Sequence, residues 1–159
     1  MDRHTHGSTA KALLYCVPSA GVGFSIGFFV ASMYSGVFEL YVDSMNALDW
    51  PDITMGVSIY GDIIPNVMIG LGAGFFALYG ASRFEPSANY VVVSTILAGF
   101  ALFYCFVGIA VSGAPIPTIL LPPPSAEHDP TAARIAALCA QFAGFVGGMR
   151  LAYRFIFGR

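Results

Sequence analysis

Residues 12–38 and 63–82 hold no charged side chain, and neither do residues 86–126, within which 90–113 form a continuous, mostly apolar run. A helix of about 20 residues rising 1.5 Å per residue spans the roughly 30 Å hydrocarbon core of a bilayer. Each stretch is therefore long enough to cross. A fourth apolar segment lies between Arg134 and Arg150. It is short by itself, but arginine stems can reach toward the headgroups and lengthen its effective span. The pattern predicts an all-α membrane protein, a bundle of about four transmembrane helices over 11–35, 57–82, 88–112 and 131–155.

The segments between the spans differ from one another. Phe38, Tyr41, Val42, Met45 and Leu48 recur at helical spacing, with Glu39, Asp43, Asn46 and Asp49 between them. This predicts a short amphipathic helix over 38–49 at the membrane surface, with Phe38, Tyr41, Met45 and Trp50 as interfacial anchors and Pro51 as a stop. In 113–130, Pro115, Pro117, Pro122, Pro123, Pro124 and Pro130 preclude helix, so this is an extended loop whose Ile116, Ile119, Leu120 and Leu121 lie against a membrane or another subunit. Pro130 and Thr131 suit a helix start.

Small residues mark where helices meet. On the first helix Ser19, Gly23, Gly27, Ala31 and Ser35 recur every fourth position, and on the last Ala132, Ala136, Ala140, Gly144, Gly148 and Ala152 do the same. Residues four apart share a helix face, and lipid offers no hydrophobic drive, so close backbone approach along such stripes is what holds membrane helices together. Gly70, Gly72 and Gly74 suggest the same for the second helix. They resemble a phosphate-binding loop only in composition, since they lie in an apolar helix without the strand and turn that such a loop needs.

Composition sharpens the class: 57% of the 159 residues are apolar and 10% charged, against about a quarter charged in ordinary soluble domains. A soluble fold would have to hide three uncharged stretches in one short chain. The first stretch exceeds the usual apolar core of a signal peptide and has no convincing cleavage site, so it reads as a retained helix. Arg3, Lys11, Arg83, Arg150, Arg154 and Arg159 fall on one side of the four-span topology and only Arg134 on the other. This places both termini on the cytoplasmic or equivalent positive-inside face. Arg134, Arg150 and Arg154 are positioned for lipid headgroups. The opposite side collects Glu39, Asp43, Asp49, Asp52, Glu127 and Asp129, a solvated rim in its ordinary reading, a partner surface or cation vestibule in its functional one.

Chemistry is sparse. His4, His6 and His128 lie outside the spans, and the single lysine, Lys11, stands at the very start of the first one, so at membrane depth haem ligated by transmembrane histidines and a retinal Schiff base have no attachment, whereas bound lipids are expected. Cys16, Cys105 and Cys139 form no close pair in sequence and read as small packing residues. No basic cluster interleaved with aromatics supports nucleic-acid binding. Asp62, Asn66 and Gln141 are the candidates for an ion or substrate path. Ionisable groups at membrane depth are costly and usually retained for work, but Asp62 also reads as the cap of a helix beginning at Ile63.

Three functions remain. The first is a non-enzymatic accessory or structural subunit of a larger membrane complex, with other membrane subunits as partners. The second is a small ion or small-molecule channel or transporter completed by identical copies. The third is a membrane-embedded binder of quinone or pigment. No segment carries a motif diagnostic of a family.

Overall fold

The computed structural model describes the backbone of residues 3–46, 54–111 and 130–158, and side chains over 8–44, 61, 63–110 and 135–158. These residues form four helices: α1 Arg3–Asn46, α2 Thr54–Phe84, α3 Tyr90–Val111 and α4 Pro130–Phe157. All four contain a stretch long and apolar enough to cross a membrane. Leu14, Val17, Phe28, Phe29, Phe100, Phe103 and Phe106 are exposed, a coat suited to hydrocarbon and unsuited to water. Exposed hydroxyls on these helices are satisfied by their own backbone, as Ser25 Oγ donates to Gly21 O at 3.0 Å and Ser32 Oγ to Phe28 O at 2.9 Å, which removes their cost in lipid. The chain is a multi-pass membrane protein.

Two boundaries depart from the sequence reading. The first helix and the expected surface helix are one element: α1 runs 44 residues without a break, so 38–46 continue the membrane helix. Between Ser35 and Phe38 only Gly36 disfavours helix, at about 1 kcal/mol, whereas stopping and starting again would require a new nucleus. The remainder of that segment (47–49), Trp50 and residues 113–129 of the proline-rich loop lie outside the described residues, as do the side chains of Met45, Asp62 and Arg134. The second concerns only the start of α2: the helix covers the expected 57–82, but it begins at Thr54 and holds Pro65 in its interior, against the reading of a start at Ile63. Asp62 is therefore within the helix and does not cap it. Proline crowds the carbonyl four residues back, and that residue is Gly61.

The turn between α2 and α3 is built by local bonds. Asn89 Oδ1 accepts from Val91 N and Val92 N at 3.2 and 3.3 Å, the geometry of an N-cap. Asn89 therefore starts α3. Tyr90 Oη donates to Glu85 O at 2.7 Å and pulls the start of α3 against the end of α2.

α2 is the central element. Among the described residues α1 packs antiparallel on one side of it and α4 parallel on the other. α3 leans on α4 and touches α1 and α2 only lightly; just 11% of its most apolar stretch is buried. The four helices converge at the end bearing the α2–α3 turn, where Ala12, Cys16, Leu78, Ala81, Val93, Met149 and Ala152 form the core. Residues near both ends of the described chain sit there too: Ser8 bonds Glu85, and the Tyr90 and Phe157 rings are 5.8 Å apart.

Candidate functional site

The glycines of α2 face two ways. A Cβ at Gly27 of α1 would lie 2.8 Å from the Met68 carbonyl oxygen, and one at Gly23 would lie 2.7 Å from Phe76 Cβ. Gly72 returns the contact from α2, where a Cβ would stand 3.2 Å from Gly27 Cα. Ser19 sits against Gly80, and Ala31 is buried. On the other side, Gly70 and Gly74 lie against the α4 backbone at Gln141 and Phe145, while Gly144 and Gly148 lie against α2 at Leu71 and Phe75. Successive helix residues turn by about 100°, so Gly70 and Gly74 share a face and Gly72 points nearly opposite. The run Gly70-Leu71-Gly72-Ala73-Gly74 thus allows α2 to be approached closely from both sides at one level. Dispersion between such closely spaced backbones supplies the attraction.

Ala140 belongs to the α4 seam and is buried, but Ala136 is exposed and Ala137 is buried in its place. A stripe at every fourth residue drifts by about 40° per step on a helix of 3.6 residues per turn, so its early members rotate off the α2 contact. Leu138 meets α3 instead, where a Cβ at Gly108 would lie 2.9 Å from Leu138 Cδ1. Phe38 is half-buried over Gly61 and its ring stacks 5.7 Å from Tyr34; it joins α1 to α2. Tyr41 is exposed, as are Arg150 and Arg154.

Of the candidate polar path, Asn66 is buried and engaged in an interaction, and Gln141 lines a cavity of about 280 Å³ between α2, α3 and α4. Asn66 is not part of its lining, so the two do not form one path through this cavity. The cavity floor is Gly70 and Ala73, whose small size leaves the space open; Phe142 and Phe145 close the α4 side, and Phe100, Ala101 and Tyr104 the α3 side. It exists because α3 is tied to the bundle at Tyr90 and Val93 and stands away from α2 toward its other end. Its described lining bears no charged group. Gln141 Oε1 is buried and without a hydrogen-bond partner.

The tertiary structure also brings together two residues that are far apart in sequence, as the Cys105 thiol on α3 lies near the Cys139 thiol on α4. Both are free, and among the described residues no group of three potential ligands could hold a metal ion. At the convergent end, Ser8 and Ser87 hydroxyls both donate to Glu85 Oε1 at 2.8 Å. Those two bonds, helped by the charge of Lys11, hold the Glu85 carboxyl below its ordinary range. Arg83 is held locally, donating to Tyr79 Oη at 2.7 Å.

No protein-family model, curated protein or solved structure matches the chain, so its classification rests on its own residues, which make it a four-helix, multi-pass membrane protein.

Proposed function

We propose that this membrane protein is an accessory subunit of a larger membrane complex, without catalysis of its own, and that an arm formed by α1 and α2 docks an unlike subunit. The observation that supports this is the length of α1. The helix has 44 residues and is about 66 Å long, whereas a core of roughly 30 Å crossed at a tilt of at most about 40° holds about 26 residues, close to the length of the uncharged run 12–38. One end must emerge. Phe38 lies against Gly61, two residues before the uncharged run of α2 begins at Ile63, so the part of α1 beyond Phe38 and the part of α2 before Ile63 leave the hydrocarbon together. Leu40 and Tyr41 are 71% and 49% exposed there, beside the exposed carboxylates Glu39 and Asp43. Apolar side chains on a helix outside lipid call for a covering surface.

Gentle purification from the native membrane into nanodiscs, followed by mass measurement of every retained chain, tests the proposal. Unlike membrane chains at fixed stoichiometry, captured by a photoreactive residue at Leu40, are the expected result. A homogeneous homo-oligomer that carries ions in liposomes, and loses that flux in a folded Asp62→Asn variant, overturns it in favour of a channel or transporter.

A further inference from the structure

We infer that Arg83 binds the phosphate of an anionic phospholipid on the outer side of the contact between α2 and α4, at the opposite end of the molecule from the docking arm. The direction of the side chain carries the argument. Arg83 is the penultimate residue of the apolar span Ile63–Phe84, and an arginine at such a place ordinarily extends outward to the headgroups. Here the guanidinium turns back instead. Its Nε and Nη2 both donate to Tyr79 Oη, at 3.2 and 2.7 Å, and its central carbon stands 5.0 Å from the centre of the Tyr79 ring. Tyr79 is one turn deeper in the span, about 6 Å along the helix. A hydroxyl and a ring do not neutralise a cation at that level, and a charge without a counter-charge is costly there.

The guanidinium has donors to spare. Of its five N–H groups, the two on the Nε edge are taken by Tyr79, which leaves a parallel pair at the far edge, one on Nη1 and one on Nη2. That pair matches two oxygens of a phosphate, and Arg83 is exposed, so a headgroup can reach it. Glu85, the carboxylate nearest in sequence, is engaged by Ser8 and Ser87. The surface below suits an acyl chain. Tyr79 stacks on Phe75 at 5.6 Å and meets Phe155 of α4 edge-on at 6.0 Å, and Phe155 is 71% exposed. Apolar surface therefore continues from the cation into the membrane, so a lipid fills both parts where free phosphate would fill one. Charge selects the headgroup. Lys11 and Arg154 lie at the same end, where Glu85 is the only carboxylate among the described residues. A choline headgroup would bring a further cation into this field, whereas an anionic headgroup brings none.

The test uses the intact protein in phosphatidylcholine nanodiscs containing a trace of photoreactive phosphatidylglycerol, phosphatidylcholine or diacylglycerol, each with the same diazirine-bearing acyl chain. After illumination, labelled peptides covering 75–83 and 151–157 are quantified. Phosphatidylglycerol is expected to label both about fivefold more than either other lipid, the scale of one basic side chain meeting an anionic lipid. Arg83→Gln should remove that preference. Arg150→Gln deletes the same charge about 140° around α4 from Phe155 and should leave the preference in place. Equal labelling by phosphatidylglycerol and either other lipid, a preference that survives in folded Arg83→Gln, or its equal loss in Arg150→Gln overturns the inference. The three-lipid comparison on the unaltered protein decides the matter even if a variant does not fold.

Discussion

Gly23 of α1 and Gly72 of α2 back onto each other so closely that a Cβ on either would meet the carbonyl oxygen of the other. Gly21, Gly99 and Gly147 have nothing within 4 Å of the same position. The contrast separates glycines that set helix spacing from glycines that merely occur in helices. Gly72→Leu and Gly144→Leu are each expected to destabilise the bundle by about 1–3 kcal/mol or more through overpacking, lowering thermal stability in detergent and the yield of folded protein. Gly99→Leu and Gly147→Leu should remain close to the parent. Equal losses across the four variants would mean that the seams do not hold the bundle.

The approach of Cys105 to Cys139 makes the pairing of α3 with α4 measurable. Mild oxidation of membranes with copper phenanthroline and oxygen should join these two thiols as a disulfide, with two electrons passing to oxygen and two protons released, and leave Cys16, buried between other helices, as a free thiol. Peptide mapping after alkylation reads the result. A bridge through Cys16, or no intramolecular bridge, would show that α3 and α4 pair in another register.

Glu85 sets a pH dependence at the convergent end. Its carboxyl is held below the ordinary value of 4.5 by the Ser87 and Ser8 hydroxyls and by Lys11. A carboxylate whose folded value is depressed contributes stability that is fully present above the unfolded value and is lost as pH falls through the folded one. The stability advantage of the parent over Glu85→Gln should therefore be constant from neutral pH down to about 4.5 and shrink below it. Thermal unfolding in detergent across that range is the measurement, and a difference that stays constant down to about pH 3 would contradict the assignment.

Ser8 lies at the convergent end beside Glu85, whereas Ser44 is near the far end of α1. Single cysteines at these positions, in a protein lacking the native three, are expected to react with impermeant reagent from opposite sides, with Ser8 on the more positive face. Reaction of both from one side would overturn the four-span topology.

Class and helix number were legible in the chain because crossing a bilayer demands length and apolarity that local sequence must supply, and residues 12–38, 63–82 and 90–113 display both. The stripe through Gly144 and Gly148 was legible for the same reason, since residues four apart share a face wherever the helix sits. Asp62 was not legible: aspartate before Ile63 reads equally as a cap or as a helix interior, and only the start of α2 at Thr54 distinguishes them. The loss of Ala136 from the packing stripe needed knowledge of where α2 stands relative to α4. The pairing of Cys105 with Cys139, the two-sided role of the glycines at 70, 72 and 74, and the cavity beside Gln141 depend on how far apart helices lie after they pack. That distance is set by side chains on neighbouring helices remote in sequence, so hydrophobic periodicity determined the elements while tertiary packing decided which residues meet and where space remains.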